Sequence, residues 1–381
     1  MAARPSRYRE YVFKNLGYQF GLIGFTSFSS LLRLLHYSLF LHPRYLGRGL
    51  LVLSTSVVSI PLRLWERVRY GRRIAAVRVE PPIFVIGHWR SGTTHLHNLI
   101  SQDRSLGYLS MYQAMVPGCS LVGQRWLKPF LSRIVPNKRP MDNMVWPIDA
   151  PQEEEIPLAK VTPYSLYVRF LFPRKAPHLF RKYVLLQDAP PRIVSEIKRK
   201  YYRLLQVATI HAGGRRLVLK NPVNTARVRL LLELFPDAKF IHAYRSPYDV
   251  FASTGHMHGR MLPITTLQSL PRGSRSDAIL SLYEDMMRRY FEDRALIPAG
   301  NLVEVRFEDV ERDPVGEVRR IYETLGLPGY AAMEPALKTY VASQRTYKKN
   351  ALEISAADRA SIEQRWGFAM TELGYGVEAA I

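Results

Sequence analysis

A glycine-bearing loop between an apolar run and a helical segment constrains this 381-residue chain more than any other feature. Residues 85–94 read Val-Ile-Gly-His-Trp-Arg-Ser-Gly-Thr-Thr, after the apolar run Ile83–Ile86 and before the helical pattern of Thr94–Gln102. Gly87 and Gly92 keep the spacing of a phosphate-binding loop, in which backbone N–H groups and a helix N-terminus hold an anion. The loop therefore predicts a nucleotide-binding α/β fold.

The residue after the second glycine separates this loop from those of nucleoside triphosphatases. In such loops a lysine follows the glycine and reaches the β- and γ-phosphates, whereas here that position is Thr93 and the cation lies earlier, at Arg90. A P-loop kinase would also need an aspartate at a strand end for magnesium, but two predicted strands lead into Lys220 and Arg245. The kinase interpretation is therefore the alternative and not the main prediction.

A second anion site follows another apolar run. The run Phe240–Ala243 leads to Arg245 and Pro247, and Ser253 follows. An arginine fork together with a hydroxyl near a helix start suits a phosphate dianion. Both anion sites thus stand where a predicted strand passes into a helix.

The loop residues Arg90-Ser-Gly-Thr-Thr94 resemble the 5′-phosphosulfate loop of sulfotransferases, which use 3′-phosphoadenosine 5′-phosphosulfate (PAPS). In that family an arginine at a strand end and a serine eight residues later bind the 3′-phosphate, and Arg245 and Ser253 keep this spacing and order. The resemblance extends over roughly residues 81–375. It implies transfer of a sulfonate group from PAPS to an acceptor hydroxyl.

The resemblance also implies a set of nucleotide-binding residues in four segments. They are Gly87, Arg90, Ser91, Gly92, Thr93 and Thr94 in the loop, Arg245 and Ser253 at the 3′-phosphate, Phe307 near the adenine, and Tyr347, Lys348, Lys349 and Asn350 in a late basic segment. Many relatives carry a tyrosine at the position of Phe307, so we expect ring packing there without the hydroxyl contact.

Two cations are candidates for neutralising charge as the sulfonate moves. By analogy with phosphoryl transfer, the enzyme supplies position, charge neutralisation and a base. Arg90 is predicted to face the bridging oxygen and the 5′-phosphate. Lys220 ends the apolar run Leu217–Leu219 and is predicted to face the sulfonate or the leaving oxygen. The alternative for Lys220 is an ordinary strand end, with Pro222 starting a helix.

The candidate bases come from an acidic cluster and from one histidine. The cluster 149–155 reads Asp-Ala-Pro-Gln-Glu-Glu-Glu and resembles a Pro-x-Glu-acidic-Glu motif of bacterial sulfotransferases. Glu153 or Glu155 is the predicted base, with Glu154 turned the other way and another glutamate orienting an arginine or lysine. The plain alternative is a set of acids at a helix start, where they favour the helix dipole. His88, inside the loop, is the rival base if it reaches the acceptor.

Composition limits the partners and the compartment. The formal net charge is +22, which is more than the binding of one anionic nucleotide requires. The excess indicates a further anionic partner, such as a membrane or a glycan. Nucleic acid is the less favoured partner, because the sequence contains no recognisable nucleic-acid-binding module. Cys119 is the single cysteine, so no disulfide framework and no cysteine-based zinc site is expected, and no metal. With no Asn-x-Ser/Thr sequence either, the chain is predicted to be cytoplasmic.

The first 80 residues form a distinct basic segment, before a predicted catalytic domain at 81–381. They carry 13 Lys and Arg against 3 acidic residues, and they contain two uncharged spans, Asn15–Leu32 and Gly49–Leu62. The second span is too short to cross a bilayer. The pattern is typical of helices that lie in a membrane interface, here the inner face of the membrane, with arginines on lipid headgroups. The alternative is a helical cover for the sheet, or a contact in a homo-oligomer.

From residue 81 onward the chain alternates short apolar runs with helical patterns. Ile83–Ile86, Leu217–Leu219, Phe240–Ala243 and Leu302–Val305 predict buried parallel strands, and Ile193–Ala208 and Thr225–Leu234 predict helices. The predicted fold is a three-layer, P-loop-like parallel sheet with helices on both faces and its ligand at the strand ends. Pro-rich stretches at 136–157 and 163–190 are expected to shape an acceptor pocket. A non-catalytic, basic membrane-surface protein is the second alternative function.

Overall fold

The core of the molecule is a four-stranded, entirely parallel β-sheet. The computed structural model describes residues 16–37, 43–134, 147–269, 275–344 and 352–376. Its strands are β1 (Ile83–Ile86), β2 (Val218–Lys220), β3 (Lys239–Tyr244) and β4 (Leu302–Arg306), in the spatial order β2-β1-β3-β4. Ile83 pairs with Val218 on one side and with Lys239 on the other. All four strands therefore point their carboxyl ends to one edge.

The sheet is buried on both faces, as the continuous apolar runs predict. Alternate residues of β1 divide between two clusters: Phe84 and Ile86 belong to the larger one, and Ile83 and Val85 to the smaller one. The smaller cluster is closed by helices that follow β1 and β4. The larger cluster takes in the rest of the helical body, including the N-terminal helices. This arrangement is the three-layer α/β architecture that the sequence predicts.

The helices fall before, between and after the strands. Before β1 they are α1 (Leu16–Ile23), α2 (Phe28–Tyr37) and α3 (Leu46–Ala75). Between β1 and β2 they are α4 (Thr93–Ile100), α5 (Met111–Met115), α6 (Leu127–Ile134), α7 (Glu155–Val161), α8 (Ala176–Tyr183) and α9 (Pro191–His211). The later ones are α10 (Val228–Leu234), α11 (Pro247–Thr265), α12 (Arg275–Asp293), α13 (Phe307–Arg312), α14 (Pro314–Thr324), α15 (Tyr330–Ser343) and α16 (Ala356–Glu372).

Most predicted elements occur within a few residues of their expected bounds, and one is divided. The predicted helix Thr225–Leu234 is a 3-10 turn, Pro222–Ala226, followed by α10. The Asn221 side chain accepts a hydrogen bond of 3.0 Å from the Val223 N–H, which fixes the turn directly after β2. Because Asn221 and Pro222 set a tight start, the chain turns before it can continue as one helix.

The two uncharged N-terminal spans form different secondary structure. The span Asn15–Leu32 divides into α1 and α2 at Phe25, whose φ of +57° is left-handed and ends the first helix. The span Gly49–Leu62 is part of the 30-residue helix α3, which corrects the expectation that it is too short. With the preceding turn from Pro43, this helix is long and apolar enough to cross a membrane by length and composition, although a third of its apolar window is buried in the protein.

One face of α3 is attached to the body of the protein. The Arg48 guanidinium donates hydrogen bonds of 2.9 and 2.6 Å to the carbonyl oxygens of Thr266 and Pro263. Further along, Arg63 donates to the Phe25 carbonyl at 2.6 Å. These contacts hold α3 along the surface of the molecule rather than away from it.

Candidate active site

The loop between β1 and α4 is tightly folded around two glycines. Gly87 has a φ of +135°, and a side chain there would overlap the Ala243 carbonyl of the neighbouring strand. Gly92 has a φ of +88°, and a side chain there would overlap the Phe307 ring. Arg90 is also left-handed, at +71°, a conformation that costs energy for a non-glycine residue and is common at functional sites. The loop is therefore held in a shape that only these glycines allow.

Hydrogen bonds inside the loop fix its path. The Gly87 N–H donates to the Thr225 hydroxyl at 2.7 Å, which ties the loop to the turn after β2. Ser91 donates both its N–H and its hydroxyl to the His88 carbonyl, at 3.2 and 2.7 Å. Since both donors of Ser91 are used within the loop, this predicted cofactor residue shapes the loop. Thr93 and Thr94 form the first turn of α4, where helix N–H groups favour an anion.

The structure brings the two predicted anion sites together. The Arg90 Nε donates a hydrogen bond of 2.8 Å to the Ser253 hydroxyl, across from the loop to α11. Arg245 lies at the end of β3, and its guanidinium stacks 4.8 Å from the centre of the Phe307 ring. Arg245 also forms a salt bridge of 2.8 Å with Asp249. Arg90, Arg245, Ser253 and Phe307 thus gather at one edge of the sheet.

Lys220 and Glu153 form an ion pair at the end of β2. The Lys220 Nζ contacts Glu153 Oε1, with the lysine side chain 2% exposed and the carboxylate side chain 15% exposed. The Tyr167 hydroxyl donates to the other carboxylate oxygen of Glu153, and it accepts a bond of 2.8 Å from the Trp89 indole N–H. A hydrogen-bonded chain therefore runs from the loop through Tyr167 and Glu153 to Lys220. Sequence reasoning selected both ends of the ion pair but not Tyr167 or Trp89.

Glu155, the other predicted base, lies in a closed ion pair. Its carboxylate accepts from Arg227 at 2.8 Å, and both side chains are buried. The Ser165 hydroxyl donates to it at 2.7 Å, and the Asn221 amide donates at 3.1 Å. With these partners Glu155 holds α7 against the turns around it. Its geometry is that of a structural carboxylate.

Glu154 points into the protein, as the sequence analysis expects. Its Oε1 accepts from Tyr201 at 2.8 Å and from Asn224 at 3.0 Å, while Oε2 has no partner. Burial raises the pKa of the Glu154 carboxyl to about 7, and the hydrogen bond from Tyr201 offsets only part of that effect. Glu154 is therefore a poor candidate for a site carboxylate that is ionised throughout the neutral range.

The His88 side chain lies within the loop and is buried. Its Nδ1 bonds the Trp89 carbonyl at 2.8 Å, so Nδ1 carries the proton and Nε2, which has no partner, carries the lone pair. Burial lowers the pKa of His88 to about 3. A group of such low basicity is a weak general base. His97 is also buried and bonds the Val218 carbonyl at 3.2 Å, so it is a residue of the protein core.

Arg169 is a buried cation that sequence reasoning missed. Its guanidinium stacks on the Trp89 ring at 4.8 Å, and its Nε and Nη2 have no hydrogen-bond partner. Burial lowers the pKa of Arg169 to about 10, a value at which it is still charged at neutral pH. It comes from the Pro-rich stretch 163–190, whose expected role in shaping an acceptor pocket stays a prediction. The signal available in the sequence was an arginine between the aromatic residues Tyr167 and Phe170.

Three remaining sequence predictions concern the late basic segment, a metal site and the cysteine. Tyr347, Lys348, Lys349 and Asn350 lie outside the described residues, so their predicted contact with the nucleotide stays a prediction. Across the described ranges, no three His, Cys, Asp or Glu side chains come together as a metal site. Cys119 is buried.

The chemistry of the site follows from its donor set. Guanidinium groups, a hydroxyl and a helix N-terminus all donate to anions, and a lysine–carboxylate pair lies beside them. Such a set suits the binding of a phosphorylated nucleotide and the removal of a proton from a second substrate.

The chain is similar in sequence to known sulfotransferases. Residues 81–332 match the profile of a family described as the sulfotransferase family. The chain is 36% identical over 322 residues to a protein named omega-hydroxy-beta-dihydromenaquinone-9 sulfotransferase Stf3, from Mycobacterium bovis and from Mycobacterium tuberculosis. The match covers 84% of this chain and 82% of those proteins.

Solved structures agree on the fold. The sulfotransferase STF9 from Mycobacterium avium superposes with a TM-score of 0.68 at 21% identity, covering 89% of this chain and 88% of that one. The sulfotransferase STF1 from Mycobacterium tuberculosis superposes with a TM-score of 0.54 at 20% identity, covering 95% and 92%. At such identities the likeness concerns the fold.

Proposed function

This chain belongs to the sulfotransferase family, and we propose that it transfers a sulfonate group from PAPS to a hydroxyl of a lipid acceptor. The observation that carries the proposal is the Lys220–Glu153 ion pair beside an anion-binding loop without a Walker lysine. A kinase would need the cation that Thr93 replaces. The non-catalytic alternative predicts that such residues are lost, whereas Arg90, Arg245, Ser253 and the ion pair are all present at one edge of the sheet.

The residues of the site suit the PAPS nucleotide. Arg245 and Ser253 would hold the 3′-phosphate, because they supply a guanidinium and a hydroxyl at the β3–α11 junction. Arg90 and the first turn of α4 would hold the 5′-phosphate. Phe307 presents a ring against Gly92, which supports packing on the adenine. When bound, PAPS supplies the sulfonate, whose sulfur leaves the phosphate oxygen and joins the acceptor oxygen.

Glu153 and Lys220 divide the remaining chemistry between them. Glu153 takes the proton of the acceptor hydroxyl as the new S–O bond forms, so the carboxylate must stay ionised and within reach of the acceptor. Lys220 orients that carboxylate through the ion pair and places a positive charge where the leaving oxygen becomes negative. Tyr167 fixes the other oxygen of Glu153. Among the candidate bases, Glu155 is engaged with Arg227 and His88 is weakly basic, which supports Glu153.

The proposed acceptor is a hydroxylated isoprenoid quinol lipid. The names of the mycobacterial relatives specify an omega-hydroxylated dihydromenaquinone, and these relatives match most of this chain. A lipid acceptor also suits a protein with an exposed apolar surface near a net positive charge.

Helix α3 carries such a surface, which we call the α3 apolar face. Its members recur at helical spacing, and each is between 43% and 86% exposed: Leu46, Leu50, Leu53, Val57, Leu64 and Val68. Arg67, Arg69, Arg72 and Arg73 follow on the same helix, where they can meet anionic headgroups. We infer that α3 lies in the membrane interface along its length, held to the protein by Arg48 and Arg63, so that the enzyme is peripheral on the cytoplasmic side.

Nucleotide selectivity tests the donor assignment. Calorimetry should show that adenosine 3′,5′-bisphosphate binds without magnesium and far more tightly than ATP. Replacing Arg245 by Gln should remove a charge-assisted contact of about 1.5–3 kcal/mol to the 3′-phosphate and leave the affinity for AMP unchanged. Equal affinity for ATP, or binding that strictly requires magnesium, would favour the kinase interpretation instead.

A further inference from the structure

A cavity of about 580 Å³ lies between α3, α9 and the segment around α5, away from the residues of the candidate active site. We call it the α3–α9 cavity. Its walls include Ile74 of α3, Val207 of α9 and Leu109 before α5. No residue assigned to nucleotide binding or to proton transfer lines it. Its volume is that of a small-molecule site.

The cavity is lined by an excess of positive charge. The cations that line it share two helices and face one another: Arg63, Arg67, Arg199, Lys200 and Arg203. Glu66 is the one acidic residue among the lining residues, which leaves five cations against one carboxylate. None of the five cations forms a salt bridge with another described residue. Glu66 attracts Arg63 and Arg203, and Glu196 attracts Lys200, but the lining keeps a net positive charge that favours an anion.

The Glu66 carboxylate accepts hydrogen bonds from backbone N–H groups. Glu66 Oε2 accepts from the Leu121 N–H at 2.7 Å and from the Val122 N–H at 3.4 Å, and the residue is 3% exposed. Glu66 thus anchors the segment before α6, and it is the one carboxylate of the lining that attracts the cations, namely Arg63 and Arg203.

Polar groups of the lining are also buried. Gln113, 8% exposed, lines the cavity, and its side-chain oxygen has no hydrogen-bond partner in the described structure, so it can accept a bond from water or from a P–O–H group but not from a bare oxyanion. Burial lowers the pKa of Lys200, while the Glu196 carboxylate opposes the shift and Arg199 adds to it. Burial also lowers the pKa of Arg203, with Glu66 opposing the shift and Arg67 adding to it. A phosphate-type anion in the cavity would compensate these charges, and in its monoprotonated form its P–O–H would donate to the Gln113 side-chain oxygen.

We propose that the α3–α9 cavity binds the phosphate-type oxyanion of an amphiphile, such as the headgroup of an anionic lipid. Arg67, exposed on α3, stands next to Leu64 and Val68 of the α3 apolar face. The lipid tail can therefore leave the cavity along that face while the headgroup remains among the cations. The inference stands on the cavity and does not depend on the sulfonate-transfer reaction.

The test uses the full-length protein with two soluble probes: inorganic phosphate and a short-chain phosphatidic acid below its micellar concentration. The cavity variant Arg67→Gln/Arg203→Gln removes two charges from the cavity. The control variant Arg125→Gln/Arg133→Gln removes two charges from exposed positions beside and within α6 that do not line the cavity and do not belong to α3. Thermal unfolding and nucleotide binding confirm that both variants are folded.

We expect calorimetric affinity for the lipid to fall at least tenfold in the cavity variant and to stay within twofold in the control. A lipid that binds much more tightly than inorganic phosphate identifies a headgroup site, and equal affinities identify a site for a free phosphate. The proposal is overturned if neither probe binds the wild-type protein, or if both variants lose affinity equally.

Discussion

At the scale of single residues, the environment of each carboxylate in the run Glu153-Glu154-Glu155 assigns it a different role. Glu153 meets Lys220 and Tyr167 at the site, Glu154 is enclosed with Tyr201, and Glu155 is paired with Arg227. The sequence predicts a general base among these three glutamates, but the environment of each one depends on partners that are distant along the chain. Arg227, for instance, is 72 positions from Glu155.

Replacing Glu153 by Gln should lower turnover roughly 10²–10⁴-fold, because the general base is lost. The affinity for adenosine 3′,5′-bisphosphate should not change, since the carboxylate acts on the acceptor side. Steady-state kinetics and calorimetry measure the two quantities separately.

Glu155→Gln is the matched control for that experiment. It should lower the free energy of unfolding by about 3–5 kcal/mol, because Arg227 would be buried without its counter-charge. If Glu153→Gln keeps normal turnover and His88→Ala is inactive, the base is the histidine.

Glu154 should make stability depend on pH. The pKa of its carboxyl is raised to about 7 in the folded protein, above its ordinary value of 4.5. Its stabilising contribution is thus fully present below about pH 4.5 and is lost as the pH rises through about 7. Denaturant unfolding of the wild type and of Glu154→Gln should show the wild type losing stability relative to the variant between pH 5 and 8. A constant difference across that range would contradict the raised pKa.

At the scale of elements, the sequence predicts the strands and the loop better than the pocket around them. The strands are short apolar runs and the loop needs its glycines, so both leave local signals. Trp89, Tyr167 and Arg169 meet only because the segment after α7 folds back over the loop. No periodicity in one segment reveals such a contact. The division of the first uncharged span at Phe25 was missed for the same reason, since the neighbouring α3 supports the turn through the Thr55 hydroxyl.

The α3 apolar face should bind anionic vesicles. Changing Leu50, Leu64 and Val68 to Ser should reduce co-sedimentation with such vesicles several-fold, because the exposed apolar area is lost. Leu296→Ser, which changes an exposed leucine elsewhere, is the control. If the wild-type protein stays in the supernatant and instead sediments as a dimer that these changes dissociate, the face is a contact in a homo-oligomer.

At the scale of the whole molecule, the parallel sheet places the carboxyl ends of β1, β2 and β3 at one edge, where the loop, Lys220 and Arg245 meet. Family membership and fold agree with what the loop predicts. The proposed nucleotide site and the α3–α9 cavity together hold part of the excess positive charge. The acceptor could not be predicted in detail, since the residues that contact it need no motif.

The most direct measurement is sulfonate transfer itself. Purified protein would be incubated with PAPS and with a mycobacterial lipid extract rich in hydroxylated menaquinols, and the lipids would be analysed by mass spectrometry. We predict that one lipid gains the mass of one sulfonate, that ATP cannot replace PAPS, and that Glu153→Gln abolishes the product while still binding the nucleotide. Transfer that is unchanged in Glu153→Gln, or a phosphorylated product formed from ATP, would contradict the account.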